Sequence, residues 1–290
     1  MSSLEDQAKG LRGLNPPAQK RLRVIAITSG KGGVGKTNLA TNFAVVAAKL
    51  GQRVLVIDAD LGLANTEILL GVRPQHHVGD LLDGSRKLSE VLTPGPHGIL
   101  LLSAGSGVRE LAQLDPGQRR HLLDELDTID QQFDLVLVDS GAGLGENVLF
   151  FVGAAQEAML VVSPEPTSLA DAYAAVKMLS LNAVTRFHVV VNPAPNEDEA
   201  RAVFAKLSQV CARFLKAEIS YLGCVPHDHN LRRAVMWQQP VVDLFPHSPA
   251  SQAFRTIAHE MLSHPPPRSA DGAIKFLWQR LLRESMETGS

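Results

Sequence analysis

The chain has 290 residues, of which 45% are hydrophobic and 20% are charged, and its formal net charge is −2 at pH 7. This length and apolar content suit one compact domain with a large core, and the nearly neutral charge excludes a general electrostatic attraction to nucleic acid or anionic lipid. Cys211 and Cys224 lack the spacing of a bridged metal cluster, and the ten histidines lack a structural zinc pattern. We therefore expect two buried thiols and no direct binding of nucleic acid.

Apolar runs alternate with helical patterns along the chain. Most of the runs are continuously apolar, as in strands that are covered on both faces. They predict an α/β fold over residues 23–263, with a doubly wound, mainly parallel sheet and helices on both faces. No run reaches the roughly 20 residues of a membrane span, and no signal peptide is visible, so the sequence favours a cytoplasmic protein. The predicted strands lie near residues 24–28, 53–58, 98–103, 134–139, 158–163, 187–191 and 219–225.

Two further segments flank the predicted domain. Residues 1–22 are polar and end in a proline pair and a basic run, which predicts a flexible arm. After a proline-rich linker at 264–272, residues 273–285 predict an amphipathic helix. Its apolar stripe would be buried either at an anionic membrane surface or against the domain. The stripe consists of Ile274, Leu277, Trp278, Leu281 and Leu282.

A glycine-rich loop and a helix follow the first predicted strand. The loop fits G-x-x-x-x-G-K-[S/T] at every fixed position. Glycines let successive N–H groups face phosphate oxygens, the helix adds its positive end, and Lys36 adds a full charge. The hydroxyl of Thr37 is then free to bind Mg²⁺. The sequence therefore predicts a nucleoside triphosphate site formed by Gly30, Lys31, Gly32, Gly33, Val34, Gly35, Lys36, Thr37 and Asn38.

Two later strands end in carboxylates. Asp58 and Asp60 follow the second predicted strand, and Asp139 ends the strand at 134–139. Because the carboxyl ends of parallel strands face the ligand crevice, these side chains should lie near the phosphates. Asp139 occupies the Walker B position, where a carboxylate holds Mg²⁺ directly or through water. Capping of the next helix is the alternative for Asp58 and Asp60.

With Lys31 included, the loop reads K-G-G-x-G-K-T and resembles the deviant Walker A motif of the MinD/ParA ATPases. The resemblance implies that Lys31 reaches the phosphates of the partner subunit in an ATP-bound dimer. It also implies that Asp60 positions the attacking water and that Asp58 lies beside the Mg²⁺ site with Thr37 and Asp139. The expected catalytic residues are therefore Asp60, Lys31 and Lys36.

Other segments match the same family on the nucleotide side. Glu165 begins a segment in which the matching glutamate contacts the nucleotide of the partner subunit. The segments around Asn192 and around Pro226 and Asp228 are similar to the adenine-contacting loops. The resemblance therefore implies that these four residues bind ATP.

Within the MinD/ParA family, the amino-terminal arm most resembles that of flagellar number regulators of the FlhG type. Residues 6–12 match their D-Q-A-x-x-L-R motif, and residues 58–65 and 165–173 are also similar. The resemblance implies a homodimer that hydrolyses ATP and regulates flagellar number and placement. Its partners would be basal-body components or a flagellar transcription regulator. The ATP-bound dimer would bind the membrane through its carboxy-terminal helix. The residues expected to engage the GTPase FlhF are Asp6, Gln7, Ala8, Leu11 and Arg12.

Two other classes stay open on the sequence alone. A ParA-type ATPase for DNA or cargo partitioning would carry a basic DNA-binding surface near its carboxy terminus, where this chain has an amphipathic pattern instead. A metabolic ligase with a related fold would show ATP hydrolysis that is stimulated by a small molecule.

Overall fold

Eight strands form one sheet in the described part of the chain. The structure is a computed structural model that describes residues 22–60, 65–82, 84–103, 132–155, 157–181, 184 and 186–266. The strand order is β3-β4-β2-β5-β1-β6-β7-β8, and every neighbouring pair is parallel except β3 and β4. The strands are β1 (Arg23–Thr28), β2 (Val54–Ala59), β3 (Thr93–Pro94), β4 (Leu100–Ser103), β5 (Leu135–Ser140), β6 (Glu157–Val162), β7 (Arg186–Ala194) and β8 (Glu218–Pro226).

Helices cover both faces of the sheet and bury two apolar cores. Residues of α1, α8, α9 and α10 pack on one face, and residues of α3 to α7 pack on the other. A short 3₁₀ turn at Pro96–Gly98 precedes β4. The helices are α1 (Lys36–Lys49), α2 (Thr66–Leu70), α3 (Val78–Leu82), α4 (Leu88–Val91), α5 (Glu146–Ala154), α6 (Pro166–Leu181), α7 (Glu197–Phe214), α8 (His229–Met236), α9 (Val241–Leu244) and α10 (Pro249–Ser263).

The structure confirms the predicted fold class and all seven predicted strands. The strand predicted at 98–103 begins only at Leu100, because Gly98 has a left-handed φ of 78° in the preceding turn. The two-residue β3 was not predicted. Cys211 is buried as expected, but the expectation for Cys224 was wrong, since it is only half-buried on the edge strand β8. The arm motif at 6–12 and the amphipathic segment at 273–285 lie outside the described residues.

Strand register brings the predicted carboxylates to one edge of the sheet. Asp58 of β2 lies opposite Asp139 of β5, and Ile27 of β1 lies opposite Asp139 on the other side. The loop that follows β1 therefore begins beside both carboxylates. Within the described residues, the helices are too short or too polar to cross a membrane.

A buried ionic network lies at the other end of the strands, where β1 and β6 begin. The Arg23 guanidinium binds both carboxylate oxygens of Glu157, with 3.0 Å between Nη2 and Oε2, and His188 Nε2 lies 3.1 Å from the same Oε2. Arg23 Nη1 also donates to the carbonyl oxygens of Met261, at 2.6 Å, and His264, at 3.1 Å. This network fixes the end of α10 against the starts of β1 and β6.

Candidate active site

The loop between β1 and α1 has a backbone that requires glycine. Gly33 and Gly35 have left-handed φ values of 74° and 91°, which other residues adopt at a cost. A Cβ atom at Gly30 would collide with the backbone of Asp171 in α6. The glycines of the motif therefore serve both the turn and its close approach to neighbouring elements.

The start of α1 is available to an anion. Gly35 is the N-cap residue and provides no side-chain cap, so the first N–H groups of the helix keep their hydrogen-bonding capacity for a ligand. Lys36 follows and is 7% exposed. Burial lowers the pKa of Lys36, while the charges of Asp139 and Asp60 act in the opposite direction. A cation is thus held at the base of the loop beside two carboxylates.

Asp58 and Asp139 are buried side by side and share a neighbour, Thr66. Asp58 Oδ1 accepts from the Asp60 N–H at 3.1 Å, and its Oδ2 accepts from the Thr66 N–H at 3.2 Å. The Thr66 hydroxyl donates to Asp139 Oδ2 at 3.0 Å. Burial raises the pKa of Asp58 to about 6 and that of Asp139 to about 7, and the charge of Asp58 adds to the second shift. Asp58 therefore does contact the start of α2, as the capping alternative expects.

One oxygen of this pair is left open for a cation. Asp139 Oδ1 is buried, and no described residue hydrogen-bonds to it. The hydroxyl of Thr37 lies near the same carboxylate and acts to lower its pKa, against the effect of burial. A buried carboxylate oxygen without a partner is costly, and carboxylate and hydroxyl oxygens are the donors that Mg²⁺ prefers. Thr37, Asp58 and Asp139 therefore fit a magnesium site.

Asp60 faces the loop that follows β5. A Cβ atom at Gly141 would lie 3.6 Å from Asp60 Oδ1. Two hydrogen bonds tie this loop to the strand and loop beside it: the Ser140 hydroxyl donates to the Ile27 carbonyl at 3.0 Å, and the Gly143 N–H donates to the Ser29 carbonyl at 3.0 Å. Asp60 is half-exposed, which suits a carboxylate that acts on a water molecule rather than on a buried ion.

Lys31 and Glu165 lie together at the exposed rim of the site. Lys31 Nζ lies 2.5 Å from Glu165 Oε2, and their side chains are 41% and 61% exposed. Both residues belong to one chain here. The contacts that the resemblance implies for them are with a partner subunit, and those contacts stay predictions.

The predicted adenine-contacting residues have partners within the protein. Asn192 Nδ2 donates to the Val34 carbonyl at 2.7 Å. Asp228 caps α8 through Oδ1, which accepts from the Asn230 N–H at 2.8 Å, while Oδ2 accepts from the Ala250 N–H at 3.0 Å. Burial acts to raise the pKa of Asp228, but these N–H donors outweigh it and the pKa is lowered. Contacts of Asn192, Pro226 and Asp228 with adenine stay predictions.

Sequence reasoning missed the roles of Thr66 and Asp171 in this site. A signal for Thr66 was present, because a threonine just beyond a loop that follows a carboxylate-ended strand can return its hydroxyl to that strand edge. The contact of Asp171 with Gly30 depends on how α6 packs, which no local pattern reports.

A strand, a glycine loop and a helix, with buried carboxylates on the neighbouring strand ends, define a P-loop nucleoside triphosphatase. Residues 20–262 match the ParA family model, whose description is NUBPL iron-transfer P-loop NTPase. Antiactivator FleN of Pseudomonas aeruginosa is 43% identical over 270 residues, which cover 93% of this chain and 96% of FleN.

Two further relatives agree with this class. Flagellum site-determining protein YlxH of Helicobacter pylori is 32% identical over 83% of this chain and 82% of its own length. The septum site-determining protein MinD of Pyrococcus horikoshii, solved with Mg-ADP, superposes with a TM-score of 0.68 at 25% identity, over 83% of this chain and 96% of that chain. This chain belongs to the MinD/ParA family of P-loop ATPases, in the group that contains FleN.

Proposed function

We propose that this ATPase binds ATP with Mg²⁺ and acts as a dimerising switch that regulates flagellar number and placement. The observation that carries the nucleotide part is the buried, open oxygen of Asp139 beside the anion-binding start of α1. The similarity to FleN and YlxH carries the flagellar part. The proposal accounts for both the site geometry and the relatives.

Within this proposal, the chain's own groups divide the work. The loop N–H groups and Lys36 hold the phosphates, and Thr37, Asp58 and Asp139 hold the ion. When bound, Mg²⁺ supplies positive charge that neutralises the phosphate oxygens. Asp60 orients the attacking water from its half-exposed position next to Gly141.

Dimerisation uses Lys31 and Glu165. Both side chains lie at the exposed rim, where a second subunit can meet them. In the dimer, Lys31 approaches the partner's phosphates and Glu165 approaches the partner's nucleotide, so closure requires the ion pair between them to separate. Static light scattering with ATP, ADP and no nucleotide tests this step: a monomer under all three conditions would contradict it.

The flanking segments connect the switch to its partners. We propose that residues 6–12 stimulate a GTPase of the FlhF type and that basal-body components or a transcription regulator respond to the dimer. Removal of residues 1–20 should leave ATP hydrolysis intact and abolish the stimulation. If the shortened chain stimulates the GTPase as well as the intact one does, the motif has no such role.

The carboxy-terminal segment is proposed to bind anionic membrane in the ATP state, which would place the dimer at the inner face of the cell membrane. The stripe of residues 273–285 would enter the headgroup region, and Leu277→Glu should abolish binding. Co-sedimentation with anionic vesicles tests this with ATP, ADP and no nucleotide. Lys206→Glu, on α7, is a control that changes charge without touching the stripe. Intact protein that stays in the supernatant in every case would favour docking on the domain instead.

A further inference from the structure

Asn192 reaches across the fold to the phosphate-binding loop. Its side-chain amide donates to the Val34 carbonyl at 2.7 Å, although the two residues are 158 positions apart in the chain. Asn192 is 9% exposed, and a Cβ atom at Gly35 would collide with its amide nitrogen. The end of β7 therefore touches the loop where its backbone is left-handed.

The register of β7 explains why this side chain is available. Val191 pairs with Cys224 of β8, and Ala194 pairs with Pro226. Between these two pairs, β7 therefore contains one more residue than β8. Such a bulge interrupts the ladder and re-aims a side chain. The position of Val34 is fixed because its side chain is buried in the core under α1.

We infer that Asn192 is a positioning residue that holds the Val34–Gly35 peptide in the orientation needed for phosphate binding. In a trans peptide, the carbonyl and the next N–H point to opposite sides. With the Val34 carbonyl bound to Asn192, the Gly35 N–H points away from Asn192 and is free to donate to an anion. The same bond keeps the negative end of the carbonyl away from that anion.

Without Asn192, the Val34 carbonyl loses its side-chain donor. Gly35 has no side chain, and its φ of 91° lies in a region that glycine leaves easily. A rotated peptide would turn a carbonyl oxygen toward the phosphate. The inference rests on the proposed function, since it requires a phosphate in the loop, and it differs from the adenine contact implied by the resemblance.

The two roles predict different losses with different bases. A residue that contacts adenine affects ATP but not a nucleotide with another base, whereas a residue that positions the loop affects both equally. Calorimetric titration of Asn192→Ala with Mg-ATP and with Mg-CTP, whose pyrimidine base lacks the purine N7 edge, separates them. We expect Asn192→Ala to lose about three- to tenfold in affinity, the worth of one hydrogen bond, by the same factor for both nucleotides. The loss should fall on KM and leave kcat at saturation nearly unchanged.

Asn196 supplies the matched control. It follows the end of β7, and its side chain caps α7 by accepting from the Glu199 N–H at 2.8 Å. Asn196→Ala should lower the thermal stability of the protein and leave both nucleotide affinities unchanged. Circular dichroism verifies that each variant folds, and Asn192→Ser, whose side chain is too short to reach Val34, replaces Asn192→Ala if that variant does not fold.

A loss confined to ATP would overturn the positioning role in favour of a base contact, and unchanged affinity for both nucleotides would overturn it outright. Failure of the wild-type chain to bind either nucleotide would overturn the proposed function, and the positioning role with it. Equal losses in both titrations, with wild-type binding intact, are the expected result.

Discussion

Lys31 and Glu165 form an ion pair within one chain, with 2.5 Å between Nζ and Oε2. Because both side chains are well exposed, the pair is worth about 0–1 kcal/mol. A contact this weak holds the two groups in the isolated subunit without preventing either from meeting a second subunit.

The first prediction concerns Lys31. In an Asp60→Ala background that slows hydrolysis, Lys31→Ala should still bind ATP but stay monomeric, because the proposed contact with the partner's phosphates is lost. Lys49→Ala is the control, since Lys49 pairs with Asp243 at the far end of α1. Light scattering with ATP measures the outcome. A stable dimer of the double variant would show that closure does not need Lys31.

The second prediction separates binding from hydrolysis. Lys36→Gln should weaken ATP binding, because Lys36 is the buried cation at the base of the loop. Asp60→Ala should bind ATP nearly as well as wild type and lower kcat by about 100-fold or more, since a water-positioning group acts mainly in the transition state. Calorimetric titration and phosphate release measure the two effects. Hydrolysis by Asp60→Ala at the wild-type rate would contradict the assignment.

The third prediction uses the raised pKa values of Asp58 and Asp139, about 6 and about 7 against 3.8 in an unfolded chain. As pH rises from about 4 to about 7, the unfolded chain releases these protons first. Without metal, the contribution of these two carboxylates to folded-state stability should therefore be greatest at low pH and should fall over this range by on the order of a few kcal/mol. Urea unfolding at pH 5 and pH 8 in EDTA measures it.

Substitution at Asp139 tests the cause of that pH dependence. Asp139→Asn removes the ionisable group, so the metal-free variant should be more stable than wild type at pH 8. The same variant should no longer gain stability from Mg-ADP. Asp228→Asn is the control, and it should lower the stability at pH 8. The pKa of Asp228 is lowered, so its charge stabilises the fold at that pH. A metal-free Asp139→Asn that is less stable than wild type at pH 8 would be inconsistent with a raised pKa.

The fourth prediction concerns the buried network at the other edge. Glu157→Gln should lower the free energy of unfolding by about 3–5 kcal/mol, because it leaves the buried Arg23 charge uncompensated. Glu90→Gln, which removes an exposed i,i+4 partner of Arg86, should cost far less, because solvent screens that pair. Replacing Arg23 and Glu157 together with methionine should cost less than Glu157→Gln alone. Urea unfolding compares the variants.

Local pattern was enough to predict the strands and the phosphate-binding loop. Continuous apolar runs marked buried parallel strands, and fixed glycine and lysine spacing marked the loop, because both signals lie within a few adjacent residues. The carboxylates could be assigned to one edge since parallel strands end there.

Contacts set by strand order could not be predicted. Glu157 begins an apolar strand and gave no sign that Arg23, 134 residues earlier, would neutralise it. That pairing exists because β1 lies beside β6 in the sheet. The hydrogen bond of Asn192 to Val34 depends in the same way on a bulge and on packing between distant elements. The short helices α2 to α4 carry too few residues for a periodic signal.

Arg23 donates directly to the carbonyl of His264. The chain therefore enters and leaves the domain at neighbouring points, at the start of β1 and away from the phosphate-binding loop. Ten residues of chain, the separation of Arg12 from Leu22, span at most about 33–36 Å. A molecule bound at Arg12 would therefore lie within that distance of the point where residue 264 leaves the domain. Because residues 23 and 264 lie side by side, a short linker that joins them would permit a circular permutant of the domain whose new termini open elsewhere.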